Sequence, residues 1–197
     1  MSKDFSTDAL GKIINEMSES SIISHEDIPN YDLFLSQVTT FLNDKIENEN
    51  FTTNIIQNYV KSEVVSKPSN GKKRGYSQSH LIQLILISYM RPLLTQEEIK
   101  KVFSLAFNHI NTQEDDIITW ENAYKAFTSF QSEVLKDFSK NEVLNYDLLD
   151  DLLKENNLQG DDEKRVLIFL IVMSLTAQAN VITNVVKKLI NDYSDNK

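Results

Sequence analysis

Residues 51–87 read FTTNIIQNYVKSEVVSKPSNGKKRGYSQSHLIQLILI, and the reading of this stretch decides the fold. Thr52 is a good helix N-cap, and Ile55, Ile56, Tyr59 and Val60 follow at a spacing that gathers apolar side chains on one face of a short helix. The opposite face presents Thr53, Asn54, Gln57, Asn58 and Lys61, all able to hydrogen-bond and none acidic. Behind the helix comes a turn-rich run, Ser66-Lys67-Pro68-Ser69-Asn70-Gly71, then Lys72, Lys73 and Arg74, and a corner at Gly75-Tyr76. Asn70-Gly71 is a strong hairpin-turn signal because both residues tolerate positive φ, so a small two-stranded hairpin is predicted with the basic residues on its tip and return strand. Ser77 caps the next helix, whose Leu81, Ile82, Leu84, Ile85, Leu86 and Ile87 are too dense in apolar groups for a surface position, and Pro92 closes it.

Outward from this stretch the pattern stays helical. On the N-terminal side, Leu35, Val38, Phe41 and Leu42 form a helix of about ten residues that Ser36 is expected to cap, ending before the polar run Glu47–Asn50. Residues 20–31 read as a connector, and Ala9, Leu10, Ile13, Ile14 and Met17 form a short docking helix behind Ser6 or Asp4. On the C-terminal side, Thr95 and Glu98 make a capping box ahead of Ile99, Val102, Phe103, Ala106 and Phe107. Trp120, Ala123, Tyr124, Phe127, Phe130, Val134, Leu135 and Phe138 sustain an amphipathic helix that either continues or restarts at a Ser139/Glu142 capping box. A last helix, capped by Asp161 or Asp162, runs to about Tyr193 and is apolar nearly all round over Val166–Leu175, which requires cover from other helices or from a second copy of the chain.

Composition narrows the classes. With 4 Gly and 3 Pro in 197 residues, an all-β sandwich lacks turn residues and a nucleotide-binding α/β fold lacks phosphate-cradling glycines. The absence of cysteine removes disulfides, thiolate metal sites and cysteine nucleophiles. His25, His80 and His109 sit in unrelated contexts with no ligand or triad spacing, and the acidic doublets at Asp115, Asp150 and Asp161 point to different sides of a helix, so neither a catalytic nor a metal site is expected. The acidic residues scattered through the first 20 positions rule out a secretory signal, and the longest apolar run, Val166–Met173, falls well short of the roughly 20 residues that cross a bilayer. A cytoplasmic protein without cofactor is expected.

The net charge of −9 gives no overall attraction to nucleic acid or anionic lipid. Its distribution is uneven, however. Residues 1–51 and 102–197 each carry net −7, whereas residues 52–101 carry 8 basic and 3 acidic groups, net +5. A basic triplet of this kind can be a solvated loop; set beside an acid-free helix face it becomes a candidate nucleic-acid contact.

Taken in order, LSQVTTFL resembles the opening helix, FTTNIIQNYVKSEVV the recognition helix, and KPSNGKKRGYSQSHLIQLILI the wing and following helix of the MerR regulators, with TQEEIKKVF fitting the helix after that. The wing corner of that superfamily is matched by Arg74, Tyr76 and Ser77, with Gly75 as an extra residue. More specifically, NYVKSEVV, the KKRGYS wing and the apolar last helix resemble an uncharacterised bacterial family of MerR-like proteins carried under a domain-of-unknown-function label. The resemblance covers about 75 residues and implies an all-α fold: a winged helix-turn-helix with a small two-stranded wing, followed by a C-terminal helical bundle. It implies three parts: residues 1–29, a docking helix and connector; 30–108, the winged domain; and 109–197, a helical dimerisation or effector domain.

The function implied is a DNA-binding transcriptional regulator associated with the nucleoid and working on double-stranded DNA. Thr53, Asn54, Gln57, Asn58 and Lys61 would enter the major groove, and Lys67, Lys72, Lys73, Arg74 and Tyr76 would contact phosphates or the minor groove. A homodimer through the C-terminal helices would supply enough basic contacts for useful affinity. The aromatic series from Trp120 offers a possible effector cavity, although aromatics at helical spacing are core more often. The competing reading is a protein-interaction module whose basic wing grips an acidic partner.

Overall fold

In a computed structural model of the chain, the structure describes residues 22–46, 50–68, 75–112, 114, 116–140 and 160–194. Six α-helices follow one 3-10 turn at His25–Asp27 among these residues: α1 Leu35–Lys45, α2 Thr53–Lys61, α3 Gln78–Met90, α4 Gln96–Ser104, α5 Trp120–Lys140 and α6 Gly160–Ser194. The all-α expectation holds. The expected helix at Ser6–Met17 and the Ser139/Glu142 capping box lie outside the described residues.

The caps show how the sequence sets the helix ends. Thr52 Oγ1 accepts the Ile55 N–H at 3.2 Å and starts α2. At α4 the predicted box forms: the Thr95 N–H donates to Glu98 Oε2 at 2.7 Å, and the Glu98 N–H to Thr95 Oγ1 at 3.3 Å. The Thr95 N–H first, and then the Thr95 hydroxyl that donates to the same Oε2 at 2.9 Å, hold the Glu98 carboxyl below its ordinary range. Ser36, by contrast, does not cap α1. The helix begins two residues earlier than that cap would set it, Phe34 is the capping position, and the Gln37 side chain accepts the Phe34 N–H at 3.0 Å. The glutamine three residues on thus satisfies the N–H of the capping residue itself, the reaching-back half of a capping box.

The chain divides into two compact units, Ile23–Phe130 with Lys187–Lys197, and Met1–Ile22 with Gln131–Val186. The core of the first centres on α3, whose Leu81, Ile82, Leu84, Ile85 and Ile87 are fully buried. Val38 and Leu42 of α1, Ile56 of α2 and Ile99 and Phe103 of α4 complete it. At its far side Trp120 stacks on Phe107, ring centroids 3.5 Å apart, and meets Phe103 edge-on at 4.9 Å. The Tyr124 hydroxyl donates to the Ile23 carbonyl at 2.6 Å, which ties the start of this unit to α5. Trp120 and Tyr124 are therefore core, as aromatics at helical spacing usually are. Phe130 is exposed.

In the second unit, α6 carries Phe169, Val172 and Met173 more than half exposed while Ile171 is buried. Among the described residues no helix is long and apolar enough to cross a membrane.

Candidate functional site

The outward face of α2 is held by the turn that precedes it. Phe51, just ahead of α2, is fastened by Asn43, near the end of α1: its Nδ2 donates to the Phe51 carbonyl at 2.9 Å and its Oδ1 accepts the Phe51 N–H at 2.7 Å. One side-chain amide thus satisfies both backbone groups of Phe51, whose ring is buried and lies 4.5 Å from the Arg91 guanidinium carbon above it. With α1 packed on α2, the angle at which α2 leaves the core is fixed from both ends of the turn.

The far end of α2 closes in a Schellman motif. The Val64 N–H returns to the Tyr59 carbonyl at 2.9 Å and the Glu63 N–H to the Val60 carbonyl at 3.1 Å. The residue in the left-handed position, φ 58°, is Glu63, where glycine is the usual occupant. Between these ends Ile56 faces inward, and Thr53, Asn54, Gln57, Asn58 and Lys61 are all exposed. None of these five side chains is engaged in a hydrogen bond or ion pair among the described residues. They form one continuous strip of donors and acceptors open to solvent.

Next to this strip the chain enters the basic loop. Lys72, Lys73, Arg74 and the Asn70-Gly71 turn lie outside the described residues, but both stems of the loop are described. On the outgoing side, Gln83 of α3 is fully buried and its Oε1 accepts the Ser66 N–H at 2.9 Å and the Ser66 hydroxyl at 3.1 Å. The Lys67 N–H donates to Asn111 Oδ1 at 2.8 Å, and its ammonium lies 3.2 Å from the Glu63 carboxylate.

On the return side, Tyr76 forms an antiparallel bridge with Leu33, its carbonyl accepting at 2.8 Å and its N–H donating at 3.2 Å. Among the described residues this is the one pairing the return arm makes, and residues 69–74, where the hairpin is expected, lie outside them. The outgoing arm has no free donors to offer a ladder: the Ser66 and Lys67 N–H groups are committed to Gln83 and Asn111, and Pro68 has none. The extended residue ahead of α1 pairs with the return arm.

Tyr76 itself is 8% exposed, its ring edge-on to His80 at 5.6 Å. It therefore sits in the stem of the loop while the strip on α2 faces outward. Ser77 is the N-cap of α3 as expected, and His80, three residues on, takes the place that a glutamate occupies in a capping box. Its Nδ1 accepts the Ser77 N–H at 3.0 Å and lies 2.8 Å from the Ser77 hydroxyl. Accepting at Nδ1 requires the neutral ring with its proton on Nε2. Burial is the main cause pushing the His80 pKa below its ordinary value, against the opposing effects of the Lys67 and Ser66 backbone and the Asp32 charge.

The structure thus places five predicted residues on one exposed helix face and two, Lys67 and Tyr76, in the stems of the loop beside it. Asn43, Gln83, His80, Asn111 and Glu63 were not singled out for the site. Gln83 did carry a signal, as the one polar residue inside the LIQLILI run. Among the described residues no group of three or more histidine and acidic side chains is placed to hold a metal.

No curated protein and no solved structure matches this chain. Residues 23–127 match the domain of unknown function DUF1836, and the match begins at the first buried residue of the larger unit, Ile23, and ends within α5. It takes in the Asn43 clamp, all of α2, the basic loop and both of its stems. Since it spans more than half of the 197 residues, the chain belongs to the DUF1836 family.

Proposed function

We propose that the chain is a DNA-binding transcriptional regulator of winged helix-turn-helix type that lays α2 in the major groove. The observation that carries this reading is the outward strip of α2: five exposed hydrogen-bonding side chains, none acidic and none engaged among the described residues. A major groove about 12 Å wide admits one α-helix, and the amides of Asn54, Gln57 and Asn58 suit the paired donor and acceptor of adenine. Lys61, at the end of the strip, reaches guanine or a phosphate.

The basic loop adds Lys72, Lys73 and Arg74 as phosphate or minor-groove contacts, which position without specifying. Lys67 joins them once its ammonium leaves Glu63, and Tyr76 holds the stem. The resemblance to MerR regulators supports the same assignment of helix and wing. Few basic contacts per copy call for two copies on a two-fold site, and the exposed apolar residues of α6 supply a surface for that pairing.

The test is retention of the full chain on mixed duplex DNA at stepped ionic strength. Tight retention at low salt with a steep fall as salt rises is expected. Changing Lys72, Lys73 and Arg74 together to Glu is expected to abolish it with the far-ultraviolet circular dichroism unchanged. A chain that binds no DNA even at low salt would instead be a docking module whose loop grips an acidic protein, the reading that the net charge of −9 favours.

A further inference from the structure

Beside the C-terminal end of α2 lies an open cleft of about 460 Å³ whose wall includes Glu63, Lys100, Phe103, Phe107, His109 and Asn111. Three observations single it out. Its lining combines an apolar floor, Val64, Phe103 and Phe107, with a carboxylate, an ammonium and side-chain amides on the rim. Glu63, the carboxylate, is the one non-glycine residue at positive φ among the described residues, so a side chain is retained where the backbone favours having none. And the two side chains that fix the first residue of the basic loop, Glu63 on the Lys67 ammonium and Asn111 on its N–H, are both walls of the cleft.

We propose that this cleft binds a small zwitterion with an apolar arm, the chemistry of a free apolar amino acid. Its ammonium group takes the Glu63 carboxylate, its carboxylate takes Lys100, and its arm lies on Phe103 and Phe107. Lys100 reaches its neighbour Glu97 only at 3.9 Å, a loose exposed pair that a ligand displaces at little cost. The ligand's ammonium competes with that of Lys67 for one carboxylate, so binding releases the Lys67 side chain at the root of the loop. Where the loop contacts DNA, as proposed above, the freed charge strengthens that contact, and DNA strengthens ligand binding by the same factor. The binding site itself does not depend on that reading.

The experiment is a titration of the full chain with L-leucine and L-phenylalanine, followed through backbone amide resonances in the absence of DNA. The matched probes 3-methylbutan-1-amine and 4-methylpentanoic acid each lack one of the two charges. Saturable shifts at Lys67 and Asn111 are expected. Binding should weaken at least about tenfold for either single-charge probe, and in Glu63→Gln and Lys100→Gln, which sit on different segments and each remove one charge contact. The inference is overturned by the absence of saturable shifts in the millimolar range, by equal response to a single-charge probe, or by variants that fold and bind as the parent does. A separate DNA titration with and without L-leucine tests the coupling. Failure there with the amide shifts intact counts against the DNA reading and leaves the ligand site standing.

Discussion

Two helices in this chain read alike and end differently. In α3, Leu81, Ile82, Leu84, Ile85 and Ile87 are each fully buried; in α6, within a run just as apolar, Phe169 is 60% exposed, Val172 53% and Met173 52%. Both runs lack a polar face. The difference teaches that composition states how much cover a helix needs and leaves open which atoms provide it. In α3 the cover comes from the helix's own unit; on α6 these side chains are exposed, and a second copy of the chain is the cover that the proposed function calls for.

Substitution at matched positions breaks or sharpens this contrast. Leu84→Ala should cost about 2–5 kcal/mol, because a buried methylene cluster is replaced by a cavity the surroundings fill only partly. Val172→Ala, measured at low protein concentration, should stay within about 0.5 kcal/mol. The single tryptophan, Trp120, 3% exposed and stacked on Phe107, reports urea unfolding of the unit that holds α3, and far-ultraviolet circular dichroism follows both units. Equal losses at low concentration would mean that α6 is covered within one chain. A Val172→Ala effect that grows with concentration, together with a lower mass in solution, would place the second copy on it.

A smaller effect separates α2 from α1. Asn43→Ala removes both partners of the Phe51 backbone at the turn and should cost about 1–3 kcal/mol, most of it from leaving part-buried groups unsatisfied. Asn43→Asp, which keeps the acceptor and loses the donor, should fall between. A loss below about 0.5 kcal/mol would show that helix packing alone sets the angle of α2.

At the loop stem the contrast becomes one of pH. His80 is neutral in the fold, with its pKa below the ordinary 6.5 because of burial, so between those two values the unfolded chain binds the extra proton. The stability due to neutral His80 is therefore fully present above about pH 6.5 and is lost as pH falls toward the lowered folded pKa. His80→Gln keeps an acceptor for the Ser77 N–H and does not titrate, so its stability between pH 7 and 5 should fall less than that of the parent. Parallel curves would show that His80 does not contribute.

The smallest effect belongs to Glu63. Glu63→Gly relieves a left-handed side chain and loses an exposed pair with Lys67, with a net gain of no more than about 1 kcal/mol by urea midpoint. A clear loss would mean that the Glu63 carboxylate stabilises the fold beyond that pair.

What the sequence made legible is what short-range chemistry decides. Thr52, Ser77 and the Thr95/Glu98 box announce their helices because the partner of each cap lies three residues away, and the apolar spacing of Ile55, Ile56, Tyr59 and Val60 leaves the strip on α2 as its only outward face. Ser36 misleads for the same reason: a good cap residue inside the first turn yields to Gln37, whose reach to the Phe34 N–H depends on where Leu33 is already pinned. The remaining contacts are long-range. Ser66 with Gln83, Lys67 with Asn111 and Leu33 with Tyr76 join residues 17, 44 and 43 positions apart, and no local pattern encodes them. They fix both stems of the loop, while residues 69–74, on which the expected two-stranded pairing falls, lie outside the described residues.

The most direct measurement of the central claim is selection of bound sequences from a random duplex pool, run in parallel on the parent chain, Gln57→Ala and Asn58→Ala. If the outward strip of α2 reads base edges, the parent recovers a defined site and each variant relaxes the preference at particular positions, by about 1–3 kcal/mol per base pair, while its salt dependence stays that of the parent. Recovery of the same site with the same preferences by all three proteins, or of no site by the parent, would contradict it.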